Sequence, residues 1–361
     1  MEFKIDQGEL SKKLALVQGI VECKGTMPIL SHVFIKSEGG RSAIAASDLA
    51  ITVAEPLEAK VTEDGGVCVP GRKLYEIVRE LAGEISFSLA KNTLKVQSGG
   101  ATYKLACLDT KEFPAWPAVD GEHKFTVSKK TLGDVIRKTS YAAGDNDTRY
   151  VLNGLLFHVK DTALNVVATD GHRLSLVRET ISDRIEEVKV IVPARALREL
   201  KKFLSGEGDV EITLGKNHTL FSADGIQFVA RNVEGAFPAY EGVIPAENDK
   251  TVVVDREDFY RGIRRVSLMN RQTHAIRIEF GDKELDLSAS HSDTGEAIDK
   301  IGCEYSGEKM TVGFNSAFLM ETLNAIDGEK VTITLKSAVT PTVLYATGDG
   351  NHKNVIMPMR I

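Results

Sequence analysis

Cysteine is scarce. The 361 residues hold four, Cys23, Cys68, Cys107 and Cys303, with no CxxC pair and no histidine at metal-ligand spacing from any of them. That pattern excludes a disulfide-stapled scaffold and a thiolate zinc site, and it predicts unpaired thiols in a reducing compartment. Long apolar runs are missing too. No stretch approaches the length of a membrane span, and the opening MEFKIDQGEL is charged from its second residue, without the apolar core of a signal peptide. A cytoplasmic location is expected, with no membrane partner. Nor is there an excess of positive charge: the formal net charge is −6. A chain that gripped a polyanion with its whole surface would be basic, so any basic contact surface here has to be local. Nucleotide and nucleophile signatures are absent as well. There is no GxxxxGK[ST] loop, no glycine fingerprint after a strand and no GxSxG elbow.

What is present is repetition. FKIDQGELSKKL begins at Phe3, FTVSKKTLGDVI at Phe125 and VVVDREDFYRGI at Val252, spacings of 122 and 127 residues. In each, apolar residues alternate, then a polar residue follows (Asp6, Ser128, Asp255), then apolar residues recur every four positions. Period 2 turning to a helical period at a capping residue predicts a strand feeding an amphipathic helix. A second helix is predicted in VPGRKLYEIVRELAGE, VPARALRELKKFLSGE and GFNSAFLMETLNAIDGE, stopped at Gly83, Gly206 and Gly328. Alternating strands follow each. AASDLAITV around Asp48 returns as VATDGHRLSLV around Asp170, and EFPAW at 112–116 returns as AFPAY at 236–240. The fold class is therefore α+β, with three tandem similar modules of about two helices and eight strands each. Their boundaries are expected at 1–121, 122–247 and 248–361, in polar, turn-rich stretches.

The segment ATDGHRLSLV (168–177) tests whether the chain is an enzyme. Asp170, His172 and Ser175 resemble a hydrolytic triad only as a list. On a strand from 172, His172 and Arg173 point to opposite faces, Ser175 shares the face of Arg173, and Asp-Gly is a turn signal. A hairpin turn with polar flanks is the simpler reading. His291 and Asp293 read likewise as a solvated loop rather than a metal pair, since no third ligand is near. No cofactor is expected.

MPILSH at 27–32, RYVLNGLLF at 149–157, ATDGHRLSLV, GFN at 313–315 and the closing VIMPMRI at 355–361, set in a threefold repeat, together resemble the bacterial DNA polymerase III β subunits, the sliding clamps. The resemblance runs over the whole chain. It implies head-to-tail homodimers, six modules closing into a ring with helices inside and sheets outside. Double-stranded DNA would pass through the hole without being read for sequence. The replicative polymerase, the clamp loader and repair polymerases would attach through short linear peptides. The helices expected to line the hole carry many cations, among them Lys12, Arg72, Lys73, Lys130, Arg137, Lys138, Arg195, Arg198, Lys201, Arg261 and Arg264, although 316–326 has none.

Site residues carried over from the resemblance fall in three groups. A peptide pocket would use Leu152, Thr169, Gly171, His172, Arg173 and Leu174, joined by Pro238 and Val243. The third module would add Asn315, Phe318, Val339 and Pro341, and the tail would add Val355, Ile356, Met357, Pro358, Met359 and Arg360. DNA contacts would come from Lys24, Arg72, Asn146, Arg149, Tyr150 and Val151. The dimer contact would set Lys73, Tyr103 and Leu105 against Ser267, Leu268, Glu296 and Asp299. Two alternatives stay open on the residues alone: a monomeric three-module interaction scaffold, and a hydrolase using Asp170 and His172.

Overall fold

The structure, a computed structural model, describes residues 1–21, 25–121, 123–292 and 295–360. Among them are six α-helices: α1 (Gln7–Val17), α2 (Gly71–Glu80), α3 (Lys129–Thr139), α4 (Ala194–Lys201), α5 (Arg256–Ser267) and α6 (Ser316–Ala325). The remaining regular structure is strand, with nine strands before residue 122, six in 122–247 and eight after 248. The central module falls short of eight because two of its strands are very long, Gly154–Thr169 and Arg173–Pro193. Each does the work of two. Their antiparallel register shifts on either side of Asp161, whose φ of +53° marks a bulge that lets one hairpin bend partway along.

The capping residues do what their chemistry dictates. Asp6 accepts from the Gly8 and Glu9 amides at 2.8 and 3.2 Å, Ser128 Oγ from the Thr131 amide at 3.0 Å, and Asp255 from the Asp258 amide at 2.9 Å. Each cap satisfies amides that the first turn leaves without partners. Leu10, Leu14 and Val17 on α1, and Phe259, Ile263 and Val266 on α5, are then fully buried at helical spacing.

The second helices end three to five residues before the expected glycines, at Glu80, Lys201 and Ala325. Gly83, Gly206 and Gly328 sit instead in the following turn with φ of +68°, +77° and +94°. That turn has a purpose seen three times. The Gly83 carbonyl accepts from the Gln7 amide, the Gly208 carbonyl from the Lys129 amide, and the Glu329 carbonyl from the Arg256 amide, at 2.8–2.9 Å. The turn after each second helix thus holds the first residue of the first helix in its module.

The described residues fall into two compact units, Met1–Leu132 with Arg195–Asn232, and Gly133–Ala194 with Val233–Ile361. The first holds a five-stranded sheet ordered 59–63, 2–6, 84–90, 93–98, 101–106, and an eight-stranded sheet. In the latter, Ile51–Leu57 pairs with Ile226–Arg231, with Ile51 opposite Ala230. The second unit holds a ten-stranded sheet in which Arg173–Pro193 pairs with His352–Ile356, with Arg173 opposite Ile356. Its core packs α5 and α6 against Phe280, Leu287, Phe314 and Ile333.

Candidate peptide-binding site and interface edges

The turn at Asp170 is built by its own side chains. Asp170 Oδ1 accepts from the His172 and Arg173 amides at 2.8 and 3.0 Å, and Oδ2 accepts from Arg173 Nε at 3.0 Å. Thr169 Oγ1 donates to the Arg173 carbonyl at 2.6 Å and accepts from the Gly171 amide at 3.0 Å. Gly171 adopts φ +87°, a conformation that costs a side chain strain. Arg173 is almost enclosed. It donates to the Tyr141 carbonyl at 2.7 Å, pairs with Glu321, and lays its guanidinium over Phe318 at 4.4 Å. His172 remains exposed, its ring 6.3 Å from that of Phe318 and nearly parallel to it.

This arrangement dismantles the triad. Ser175 is fully buried, its Oγ 2.7 Å from the Lys138 carbonyl, 2.8 Å from Asn354 Oδ1 and 3.2 Å from His352 Nε2. Burial drives the His352 imidazole down to about 4, so it stays neutral. Asp170 is committed to the turn and to Arg173. Burial raises the Tyr141 hydroxyl to about 12, and that hydroxyl donates to Asn354 Oδ1 at 2.7 Å.

On the other face of this strand lies a cavity of about 220 Å³. Its walls include Leu152, Thr169, Gly171, Arg173, Leu174, Pro238, Val243, Val355 and Met357, all expected for the peptide pocket. Behind them Leu174, Leu176, Val343 and Val355 form one apolar cluster. The tail is stitched across it: the Met357 amide donates to the His172 carbonyl at 2.9 Å, and the Met359 amide to the Gly313 carbonyl at 2.8 Å. A second cavity of about 570 Å³ lies along the tail, lined by Val339, Pro358, Met359 and Arg360 together with Arg277, Thr311, Gly313 and Ala338.

Several expected residues lie elsewhere. Pro341 lines a different cavity with Glu241, Gly242 and residues 244–248. Ile356 is fully buried in the third-module core. Asn315 caps α6, accepting from the Ala317 and Phe318 amides at 2.9 and 3.4 Å. Arg149, expected at DNA, lines the smaller cavity. It donates to the Asp170 carbonyl at 2.9 Å and forms a two-pronged pair with Asp147, whose carboxyl is thereby held down to about 2. Val151 turns inward to the apolar cluster, whereas Tyr150 is 75% exposed. Sequence reasoning missed Tyr240, which lines the cavity and hydrogen-bonds His158 Nδ1 at 2.8 Å. The AFPAY repeat was its signal.

Arg72 is exposed on α2, and Asn146 sits in a loop at φ +57°. Lys24, with Cys23 and Asp293, lies outside the described residues. His291 ends the strand Glu284–His291 rather than lying in a loop. The other three thiols are free, and burial lifts Cys68 to about 12. Many of the helical cations are already paired: Lys73 with Glu76, Arg137 and Lys138 with Asp327, Arg195 with Asp48, Arg261 with Glu257. Lys129, on α3, is buried against Asp224. Exposed Lys12, Arg72, Lys130, Arg198, Lys201 and Arg264 have no ion pair among the described residues.

Two of the open strand edges carry the residues expected at the dimer contact. Ala101–Ala106 pairs on one side only, with Tyr103 and Leu105 on it. In Gly295–Glu304 only Cys303 and Glu304 have a second partner strand, so the stretch with Glu296 and Asp299 is free along one side. Ile298 on that edge is 64% exposed, and Leu268, just past α5, is 56% exposed. Ser267 instead turns its hydroxyl back to the Arg264 carbonyl at 2.9 Å, and Arg265 holds Asp299 at 2.6 Å.

Helix pairs packed with wide antiparallel sheets, recurring three times along the chain with the first helix of each pair capped, define a three-module clamp fold. Family models of the DNA polymerase III beta subunit match residues 1–117 (N-terminal domain), 126–239 (central domain) and 241–360 (C-terminal domain). Beta sliding clamps of Pseudomonas putida and Pseudomonas aeruginosa are 32% and 31% identical, with all of both chains covered. The crystal structure of the P. aeruginosa DNA polymerase III subunit beta superposes with a TM-score of 0.95 at 31% identity, and a Bartonella birtlesii clamp bound to griselimycin with 0.96 at 33%, both over the full chains. The chain belongs to the DNA polymerase III β subunit family. It is a sliding clamp of DNA replication, with the α+β clamp fold in three domains and no enzymatic activity.

Proposed function

We propose that two copies of the chain close head to tail into a six-module ring around double-stranded DNA and tether a replicative polymerase through a short peptide seated at the tail. The single observation that carries this reading is the tail itself, stitched by alternate amides to His172 and Gly313 along an apolar cavity. Such a groove offers apolar walls and a few fixed polar groups, which suits a linear peptide. Met357 and Met359 adapt to different side chains, so the clamp loader and repair polymerases are further partners at the same place. The open edges Ala101–Ala106 and Gly295–Gly302 support dimer closure, because pairing them satisfies backbone groups of both. In this reading the modules are 1–121, 122–247 and 248–361, Tyr103 and Leu105 meet Ser267 and Leu268, and Lys73 faces Glu296 and Asp299. Lys24, Arg72, Asn146 and Tyr150 approach the duplex. The protein acts in the cytoplasm.

Light scattering over a dilution series tests closure. The expected mass is about 79 kDa, twice the 39.4 kDa chain. Retention on closed circular DNA, lost when the circle is cut, is the companion result. A stable single-chain species at micromolar concentration sinks the ring.

A further inference from the structure

Tyr240 stands between two cavities. It lines the smaller one with Leu174 and Val355, and it lines a further cavity of about 270 Å³ with Leu176 and Lys353. Those pairs are successive steps along one face of the sheet, Leu174 opposite Val355 and Leu176 opposite Lys353. Among the described walls Tyr240 is the one residue common to both cavities, so its ring is the partition between them. Packing fixes a side chain where neighbours fill the space on each side, and it holds a ring flanked by two voids less firmly. The turn that carries the ring, Tyr240–Val243, has no side-chain cap. What anchors the ring is its hydroxyl, 2.8 Å from Nδ1 of buried His158. His158 belongs to the long strand Gly154–Thr169, and its Nε2 lies 3.1 Å from Glu187 Oε1 on the strand paired with it. A carboxylate only accepts, so Nε2 carries a proton, and in the neutral ring Nδ1 is left to accept from Tyr240. Lys160 and Lys189 hold Glu187 in turn, at 2.9 and 3.5 Å. Glu241 lies 3.9 Å from the same Nδ1, but it shares the turn of Tyr240 and cannot tie that turn to the sheet.

We propose that His158, oriented by Glu187, is a positioning residue: it holds Tyr240 as a fixed partition, so that the smaller cavity is already shaped when a peptide arrives. The inference rests on the peptide-binding reading above. His158 touches no ligand itself and acts only through the Tyr240 hydroxyl. Without that bond the ring can lean into the space behind it, and the peptide has to restore the wall at the expense of its affinity.

The test is a double-substitution cycle read in affinity. The full-length protein, Tyr240→Phe, His158→Leu and the double variant are titrated by fluorescence anisotropy against a labelled twelve-residue peptide with a central Leu-Phe. Each single substitution should weaken binding about fivefold, and the double variant should bind no more weakly than either one. Independent losses, multiplying to about 25-fold in the double variant, overturn the positioning role. Tyr240→Phe binding as tightly as the unsubstituted protein overturns it too, and that variant keeps the ring, so this outcome stays readable if His158→Leu does not fold. Urea denaturation of the same proteins gives the third check. Lower stability with unchanged affinity is what a merely structural contact produces, and it also overturns the proposal. No binding of the peptide to the unsubstituted protein removes the peptide reading and this inference together, whereas the other adverse results remove this inference alone.

Discussion

The turns at Asp48 and Asp170 are the same turn made twice. Asp48 Oδ1 accepts from the Ala50 and Ile51 amides at 3.0 and 2.7 Å, as Asp170 does from His172 and Arg173. Ser47 Oγ accepts from the Leu49 amide as Thr169 does from Gly171. Both turns feed a strand that pairs with the last strand of the next module, through Ile51 and Ala230 in one case and Arg173 and Ile356 in the other. The backbone is duplicated and the side chains are not. Where one strand runs Ile51, Thr52, Val53, Ala54, Glu55, the other runs Arg173, Leu174, Ser175, Leu176, Val177. The second strand has gained leucines on the face of the apolar cluster and polar groups on the opposite face. The apolar cavity goes with the side chains that differ along one strand, on a backbone that is the same at both turns.

Substitutions that import one junction into the other put this to the test. The largest effect is expected from Arg173→Ile. It leaves Glu321 and the Tyr141 carbonyl without their guanidinium donor and Asp170 with only its two amide donors, and should cost about 3–5 kcal/mol in urea denaturation and abolish peptide binding. Glu55→Val comes next. The Glu55 carboxylate is buried without a hydrogen bond, Lys13 lying 3.1 Å away, and burial raises it to about 7 from 4.5. A carboxyl whose folded value lies above its unfolded one costs nothing below pH 4.5 and progressively more as pH rises to 7. The variant should therefore gain up to about 3 kcal/mol at pH 8 and little at pH 4.5. An equal gain at both pH values would contradict the buried-charge account.

Gly171→Leu copies the residue of the first turn, Leu49, which tolerates φ +70°. At Gly171 a Cβ would sit 2.9 Å from Arg149 Nη1, on a guanidinium held by Asp147 and the Asp170 carbonyl. Expected are a loss of about 1–2 kcal/mol in stability from the backbone strain and a larger loss of peptide affinity, read by anisotropy. The smallest change should come from Arg195→Gln, which removes the exposed partner of Asp48 and should shift stability by under about 1 kcal/mol.

Much of this was legible in the sequence because it is local. Capping oxygens, strand alternation and the Asp-Gly turn are decided within a few residues, and Asp6, Ser128, Asp255 and Gly171 stand where they were expected. The glycines after the second helices misled because their partners, the amides of Gln7, Lys129 and Arg256, are about 75 residues away along the chain. Arg149 reads as a free loop cation until the Asp170 carbonyl and Asp147 are brought beside it. Tyr240 and Ile298 gave only an aromatic in a repeat and an apolar residue on an alternating strand. Their roles come from what tertiary pairing covers and what it leaves open.

The tail also equips the molecule with its own spectroscopic labels. The chain has seven methionines, and one of them, Met357, walls the smaller cavity while another, Met359, walls the larger. Isotope-labelled methionine methyls give an uncrowded NMR spectrum in which each cavity has its own resonance. A ligand filling only the smaller cavity moves one signal, and a ligand that also enters the larger one moves both. Occupancy of the two halves can then be followed separately, in a single sample and without a mutation.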